Sequence, residues 1–355
     1  MPKSILTRMG DGERVSMPAD EVKEELLLGT QDAAQNGEIP ELTAENLEQL
    51  LDIMAEPGRV VSVPPGDEVV VTDDGCAKLF CSGPADGGAG LPISRQTSIL
   101  AYERGFAADT VSIGHEDYSF KPVKQIIDYE AQTYYQTALA TTVPFFYGAQ
   151  PNLGLYYRPD GPHPNPADLL PLGKIDEAQA AQETAAEQSK EDMVYVGRRL
   201  AEIGCEGLNF DTAGSAGDAD LYAALIAIAE LKEKAPLMAI ELGMSNEFVF
   251  GMHGEICFEG KRLAGMYPHD QALVSAAAGA DIFGPAINVN TSRSTAWNLS
   301  RAVTFVKHTV EVSKIPVHPN VGMGVCGVPM CLESPIDCVT RASKALVMIG
   351  KADGL

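Results

Sequence analysis

The sequence predicts an α/β fold, a (β/α)8 TIM-type barrel, and three observations predict it. From about residue 105 onward, short apolar runs alternate with long amphipathic or Ala-rich stretches. That rhythm implies parallel strands joined by helical crossovers. A punctuation of Gly, one or two small residues and an acid recurs where helices give way to strands. It reads Gly204-Cys205-Glu206-Gly207-Leu208, then Gly279-Ala280-Asp281-Ile282, then Gly350-Lys351-Ala352-Asp353-Gly354-Leu355. The length of 355 residues also suits one barrel with additions. An open doubly wound sheet is the structural alternative.

Residues 1–58 read as a helical preface. Thr43 can cap a helix and Leu42 can staple to Leu47, with Leu47, Leu50, Leu51 and Met54 at helical spacing and Pro57-Gly58 as a stop. Residues 59–80 change period, and a Pro-Pro-Gly-Asp turn between Val-rich runs reads as a β-hairpin. Residues 82–90 form a Gly-rich loop. No helix start follows it, which argues against a phosphate cradle. Residues 1–104 are thus expected to be an extension packed on a barrel spanning 105–355. The expected barrel strands are 109–114, 142–147, 207–211, 237–241, 281–285 and 315–319. The helices between them are about 176–203, 221–234, 270–279 and 294–313. A last helix is capped by Ser334, carries Pro335 at its first position and ends at Gly350. The third punctuation then runs into the end of the chain. The expectation is a barrel incomplete at its C-terminus, lacking its last strand or strands.

Composition narrows the function. Lys and Arg number 26 against 49 Asp and Glu, a net charge of −23. No basic stripe exists to meet phosphates, so nucleic acid and anionic membranes are excluded as partners. No apolar run reaches membrane-spanning length and no signal-peptide core opens the chain. The 7 scattered cysteines, none in a CxxC, fit reduced thiols in the cytoplasm.

In an α/β barrel the chemistry sits where strands pass into βα loops. Asp211 and Glu241 are acids at the ends of two neighbouring apolar strands, able to act as general acids or to hold a cationic amine. Asn288 and Asn290 follow the next strand, and His318, Asn320, Gly322 and Gly324 the one after. Gly322-Met323-Gly324-Val325-Cys326-Gly327 matches G-x-G-x-x-G. Pro329 interrupts it before any helix, which argues against a dinucleotide site. A loop that admits a bulky cofactor and a plain tight loop both fit. His253-Gly254-Glu255 lacks the partner cysteines of a zinc deaminase and a second His at helical spacing, so no metal is expected. His253 and His269 read as supporting loop residues. Packing in an amphipathic helix accounts for the lone Trp297.

Several strings together resemble one family. They include Arg8-Met9-Gly10-Asp11-Gly12, the segment from Gly114-His115-Glu116-Asp117 to Lys121-Pro122-Val123-Lys124, Phe146-Tyr147-Gly148-Ala149 and Gly154-Leu155-Tyr156-Tyr157. Asn209-Phe210-Asp211-Thr212, Gly251-Met252-His253-Gly254, Ala296-Trp297-Asn298-Leu299 and Gly322-Met323-Gly324-Val325 complete the set. The chain resembles the dimethylamine:corrinoid protein methyltransferases over nearly its whole length.

The resemblance implies methyl transfer from dimethylamine to the Co(I) corrinoid of a cognate corrinoid protein, with release of methylamine. It implies that the corrinoid is carried by the partner, with no cofactor bound directly. The strand-end residues Asn288, Asn290, His318, Gly322 and Gly324 are expected to line the corrinoid-facing rim, and a homo-oligomer is expected. The resemblance also places pyrrolysine, encoded by UAG, directly after Leu355, so that residues 1–355 alone are expected to be inactive. Asp211 and Glu241 would manage protons. A metal- or phosphate-dependent barrel lyase such as an aldolase, and a non-catalytic product of termination at UAG, are the readings from other classes.

Overall fold

A computed structural model describes residues 4–69, 78–80, 90–92, 146–148, 150–205, 207–331 and 334–355. The expected strand at 109–114 and the boundary at 104 lie outside the described residues. In chain order the elements are β1 (Ser4–Arg8), β2 (Arg14–Pro18), α1 (Ala19–Gly37), α2 (Ala44–Ala55), β3 (Lys78–Phe80), β4 (Gly90–Pro92) and β5 (Phe146–Gly148). There follow α3 (Pro166–Leu169), α4 (Ile175–Glu202), β6 (Gly207–Ala213), α5 (Asp218–Lys234), β7 (Ala239–Met244), β8 (Cys257–Phe258) and β9 (Lys261–Arg262). The last are α6 (Pro268–Ala278), β10 (Ile282–Gly284), α7 (Thr295–Val312) and α8 (Ile336–Met348). This is a mixed α/β architecture. Two compact units divide between Phe283 and Gly284, the first containing residues 1–73, 77–115 and 284–355, the second 74–76 and 116–283.

The second unit holds the sheet, in the order β10-β7-β6-β5. β6 runs parallel to both β5 and β7. Parallel neighbours require crossovers, and α4 and α5 supply them. Leu208, Phe210, Ile240 and Leu242 are fully buried. Gly197 shows where the Leu208 side of the sheet faces. A β-carbon there would lie 2.7 Å from Leu231 Cδ1 on α5 and 2.9 Å from Leu208 Cδ1. The one glycine of the long helix therefore lets α4 close onto both α5 and β6.

Two of the recurrent joints behave as their sequence predicts. Gly204 (φ 80°) and Gly279 (φ 97°) take the left-handed conformation that ends a helix. After Gly279, Asp281 donates its N–H to the Ile240 carbonyl at 2.8 Å and accepts the Ile240 N–H at 2.8 Å. Lys232 Nζ also donates to Asp281 at 3.0 Å. The acid of the punctuation thus fastens the incoming strand to its neighbour.

The first unit corrects the all-helical preface. Residues 4–18 form an antiparallel hairpin, with Ile5 opposite Met17 and Thr7 opposite Val15. Gly10-Asp11-Gly12 makes the turn, and Asp11 Oδ1 accepts the Glu13 N–H at 2.9 Å. α1 then packs on α7. Gly29 leaves room for the Ser300 Cβ, and Ser300 Oγ donates to the Leu26 carbonyl at 2.6 Å. Thr43 caps α2 as expected, accepting from the Asn46 N–H at 3.2 Å. The Arg341 guanidinium closes its far end by donating to the carbonyls of Ile53, Glu56 and Gly58.

Of the hairpin expected over 59–80, the turn forms, where the Asp67 N–H donates to the Pro64 carbonyl at 3.0 Å, and residues 70–77 lie outside the described residues. Residues 60–69 form no strand, and the Val61 N–H goes to Thr340 Oγ1 on α8 instead. Of the strand expected at 315–319, only Val317 forms a bridge. α8 begins one residue later than the sequence suggests. Pro335, extended at φ −65° and ψ 124°, is its N-cap, and Ser334 Oγ makes no hydrogen bond. At its other end Lys351 (φ 59°), not Gly350, takes the left-handed conformation.

Candidate active site

Asp211 and Glu241 stand on adjacent parallel strands and on one face of them. The ladder pairs Asn209 with Glu241 and Phe210 with Leu242. Alternation puts Asn209, Asp211, Glu241 and Gly243 on the face opposite Leu208, away from α4 and α5. Gly243 lies beside the acids: a β-carbon on it would sit 3.0 Å from Asp211 Oδ1 and 3.4 Å from Asn209 Oδ1. Asn209, Asp211 and Glu241 are 4%, 6% and 6% exposed, so two carboxylates and an amide are held out of water together. The sequence places both acids at strand ends, but neither ends its strand. β6 continues through Thr212 and Ala213, and β7 through Gly243 and Met244. Beyond Phe210 the ladder register shifts, and Thr212 is left-handed at φ 58°. Its N–H donates to Asp211 Oδ1 at 2.8 Å, which fixes that carboxylate at the irregularity.

The other expected site residues lie in the first unit. Asn288 bridges Val325, and Val325 bridges Gly322. The Val289 N–H donates to the Gly324 carbonyl, and the Cys326 N–H to the Ile287 carbonyl, both at 2.8 Å. The segments 287–289 and 322–326 are therefore one knitted rim. Asn290 is exposed, and its Oδ1 accepts the Ser292 N–H at 2.9 Å. Asn298 secures the same turn, accepting the Asn290 N–H at 2.8 Å. Gly322 is open, with only Asn320 Oδ1 near the place of a β-carbon, at 3.9 Å. Gly324 (φ 76°) is closed, because Met330 Sδ would lie 2.9 Å from a β-carbon there. Its need for glycine comes from the loop's own packing.

His318 abuts the last residues of the chain. A β-carbon on Gly354 would lie 2.5 Å from His318 Cε1. The ring is 7% exposed and its Nδ1 has no hydrogen-bond partner. Burial lowers its pKa, and Asp353 pulls the other way.

Sequence reading passed over two buried acids in the first turn of α5. Asp218 is fully buried and accepts from the N–H groups of Gly254 at 2.7 Å and His253 at 3.3 Å. His253 Nδ1 lies 3.3 Å from the same carboxylate, and its Nε2 faces the Gln179 carbonyl at 3.3 Å. His253 is thus the supporting loop residue the sequence predicts. Asp220 accepts from Gln150 Nε2 at 3.1 Å, and burial pushes its pKa up to about 6. The signal was the string Gly217-Asp218-Ala219-Asp220, which reads as ordinary helix-start acids. Among the described residues no three His, Cys, Asp or Glu side chains gather as a metal site requires. No described helix is long and apolar enough to cross a membrane.

Among solved structures, the chain is similar to the homocysteine methyltransferase MmuM from Escherichia coli, apo form. Identity is 15%, over 53% of this chain and 78% of that one, with a TM-score of 0.24. So loose a superposition carries no weight for fold or chemistry. The sequence itself is matched by the family model "Dimethylamine methyltransferase (Dimeth_PyL)" over residues 3–355. The chain with the Asp211–Glu241 face therefore belongs to the dimethylamine methyltransferase family and is a transferase.

Proposed function

We propose that this enzyme moves one methyl group from dimethylamine to the Co(I) corrinoid of a cognate corrinoid protein and releases methylamine. The observation that carries the reading is the buried Asp211–Glu241 face in a chain matched by the family over 3–355. An amine leaves poorly unless its nitrogen holds a proton or an electrophile. The partner's corrinoid supplies the cobalt nucleophile, and the pyrrolysine that the resemblance sets after Leu355 supplies an imine to hold the amine. Asp211 and Glu241 attract the amine as a cation and keep a proton at a carboxyl oxygen for the departing nitrogen. Their burial strengthens that charge interaction by excluding water. Gly243 keeps the space beside Asp211 clear.

Gly322 suits the approach of a flat macrocycle, since nothing but Asn320 stands near its missing β-carbon. Asn288, Asn290 and His318 share that rim in the proposal, with Gly324 present through its backbone. The proposal includes a complete (β/α)8 barrel, a homo-oligomer, a cytoplasmic setting and a role in methylamine-dependent methanogenesis or methylotrophy. The clasp of residue 353 on Val317, matching that of Asp281 on Ile240, supports the barrel.

The test is Glu241→Gln in protein carrying the pyrrolysine, with reduced corrinoid protein and dimethylamine. Turnover should fall by roughly 10²-fold or more, as for loss of an acid–base group. Binding of the corrinoid protein should be unchanged. Undiminished turnover in both Glu241→Gln and Asp211→Asn removes the reading.

A further inference from the structure

The turn that feeds β7 carries an apolar side chain with no cover. Leu237 is 97% exposed, more than any other large apolar residue among those described. Its backbone is nonetheless fixed. The Ala235 N–H donates to the Leu231 carbonyl at 2.6 Å and closes α5, and the Met238 N–H returns to the Ala235 carbonyl at 3.1 Å. Lys232 Nζ holds the carbonyls on either side of Leu237, donating to Pro236 at 3.4 Å and to Met238 at 3.0 Å. Asp281 anchors the same ammonium at 3.0 Å. Leu237 is therefore a knob on a rigid stalk.

A hollow of about 790 Å³ lies beside it, between the end of α4 and this turn. Small residues such as Ala201 and Gly204 leave the space open, and the buried Met238 supplies apolar lining. Arg198 and Glu202, one turn apart on α4, line it as well. Glu202 pairs with Arg199 at 2.9 Å, whereas Arg198 is exposed and makes no ion pair with a described residue.

Shape and charge name the occupant. A knob and a hollow on one face are what a contact between identical copies requires, because each copy gives its knob and receives the other's. The chain carries 49 acidic residues against 26 basic, so two copies repel over most approaches. A face with an unmatched arginine beside a glutamate escapes that repulsion, since each copy meets the other with both signs of charge. A knob already held in place also loses little conformational freedom on docking.

We infer that Leu237 and the hollow beside it form a self-complementary interface between two copies of this chain. The Leu237 side chain of each copy seats in the hollow of the other, against Met238 and the end of α4, with Arg198 at the margin facing the partner's Glu202. This interface is a contact of the homo-oligomer proposed above. It rests on that part of the proposal alone, and methyl transfer does not enter it.

Sedimentation velocity of the chain over a micromolar concentration series tests this. Wild type should self-associate reversibly. Leu237→Asp puts a charge into the partner's hollow and should weaken association by roughly tenfold or more, as for loss of a central anchor. Ala201→Leu fills the hollow with a good helix former and should weaken association as well. Thermal midpoints of both variants should stay close to that of wild type when each is measured as monomer. A wild type that remains monomeric overturns both the interface and the homo-oligomer. Self-association undiminished in both Leu237→Asp and Ala201→Leu overturns the interface and leaves the oligomer to another surface. Neither result bears on the catalytic reading, whose test is the turnover of Glu241→Gln.

Discussion

Asp353 brackets Val317. Its N–H donates to the Val317 carbonyl at 3.0 Å, and its carboxylate accepts the Val317 N–H at 2.9 Å. Asp281 brackets Ile240 in the same two-bond pattern. Glu206 of the remaining joint lies outside the described residues, and at these two joints the acid has one mechanical role. It lies down as the first residue of the incoming segment and uses its side chain to hold the neighbouring backbone.

Asp353→Ala keeps the carbonyl bond and removes the carboxylate from Val317, whose N–H is then buried without its acceptor. A loss of about 1–2 kcal/mol is expected. Asp353→Asn, which keeps an acceptor oxygen, should lose less. Urea unfolding midpoints at pH 7 check the order. Equal stability of wild type and Asp353→Ala would show that the bracket holds nothing.

Gly354→Ala drives a methyl into the His318 ring, in a segment where Ala352 and Leu355 are also buried. Overpacking of this kind costs roughly 1–3 kcal/mol. The double variant Gly354→Ala with His318→Ala should recover part of it, because the clash partner is gone. A double-mutant cycle without coupling would refute the contact.

Gly243→Ala probes the acid pair without altering charge. Its methyl would press on Asp211 Oδ1 at 3.0 Å. In the enzyme as proposed above, kcat/KM should fall more than stability does. In an Asp211→Ala background the same methyl has room, so its added effect on stability should vanish. The measurements are initial rates with dimethylamine and thermal midpoints of the four proteins.

Asp218→Ala should release the 252–254 loop, since that carboxylate takes the N–H groups of His253 and Gly254 and faces the His253 ring. Leaving those groups buried and unmatched costs about 2–4 kcal/mol. Hydrogen exchange at the Gly254 amide should speed up while amides of β7 stay protected. Uniform loss of protection would instead mean a global effect.

Periodicity and punctuation made much of the second unit legible, because helix caps and strand runs are local. Gly204 and Gly279 end their helices where the sequence places them, and α4 needed only its own long apolar stripe. The β1–β2 hairpin was missed although Ser4-Ile5-Leu6-Thr7, Gly10-Asp11-Gly12 and Arg14-Val15-Ser16-Met17 carry alternation and a turn. Its short length let the helical signal after it dominate. The 64–67 turn is real, yet the flank before it forms no strand, because Val61 finds Thr340 on α8, far along the chain. That Asp211 and Glu241 lie on neighbouring strands could be read from the succession of apolar runs, while their common face comes from the register pairing Asn209 with Glu241. The role of Gly243 depends on that register too. Asp218 and Asp220 look like common helix-start acids, and only tertiary burial sets them apart.

Asp220 should leave a signature in stability against pH. Its pKa in the fold is about 6 against 3.8 for the free side chain, and the leading cause is burial. The folded state therefore binds the proton more tightly than the unfolded one. Between pH 3.8 and 6 the unfolded chain has released that proton while the folded chain still holds it. By linkage, stability must fall as pH rises through this window and then stay lower by a fixed amount. The gap between the two values corresponds to about 3 kcal/mol at 1.36 kcal/mol per unit. Asp220→Asn has no proton to exchange, so this component should be absent from its profile. The check is urea unfolding of both proteins from pH 3.5 to 7.5, taken as a difference to cancel the other carboxylates. Wild type should lose ground to Asp220→Asn as pH rises through the window. Parallel profiles for the two proteins would mean that Asp220 is already satisfied as an anion.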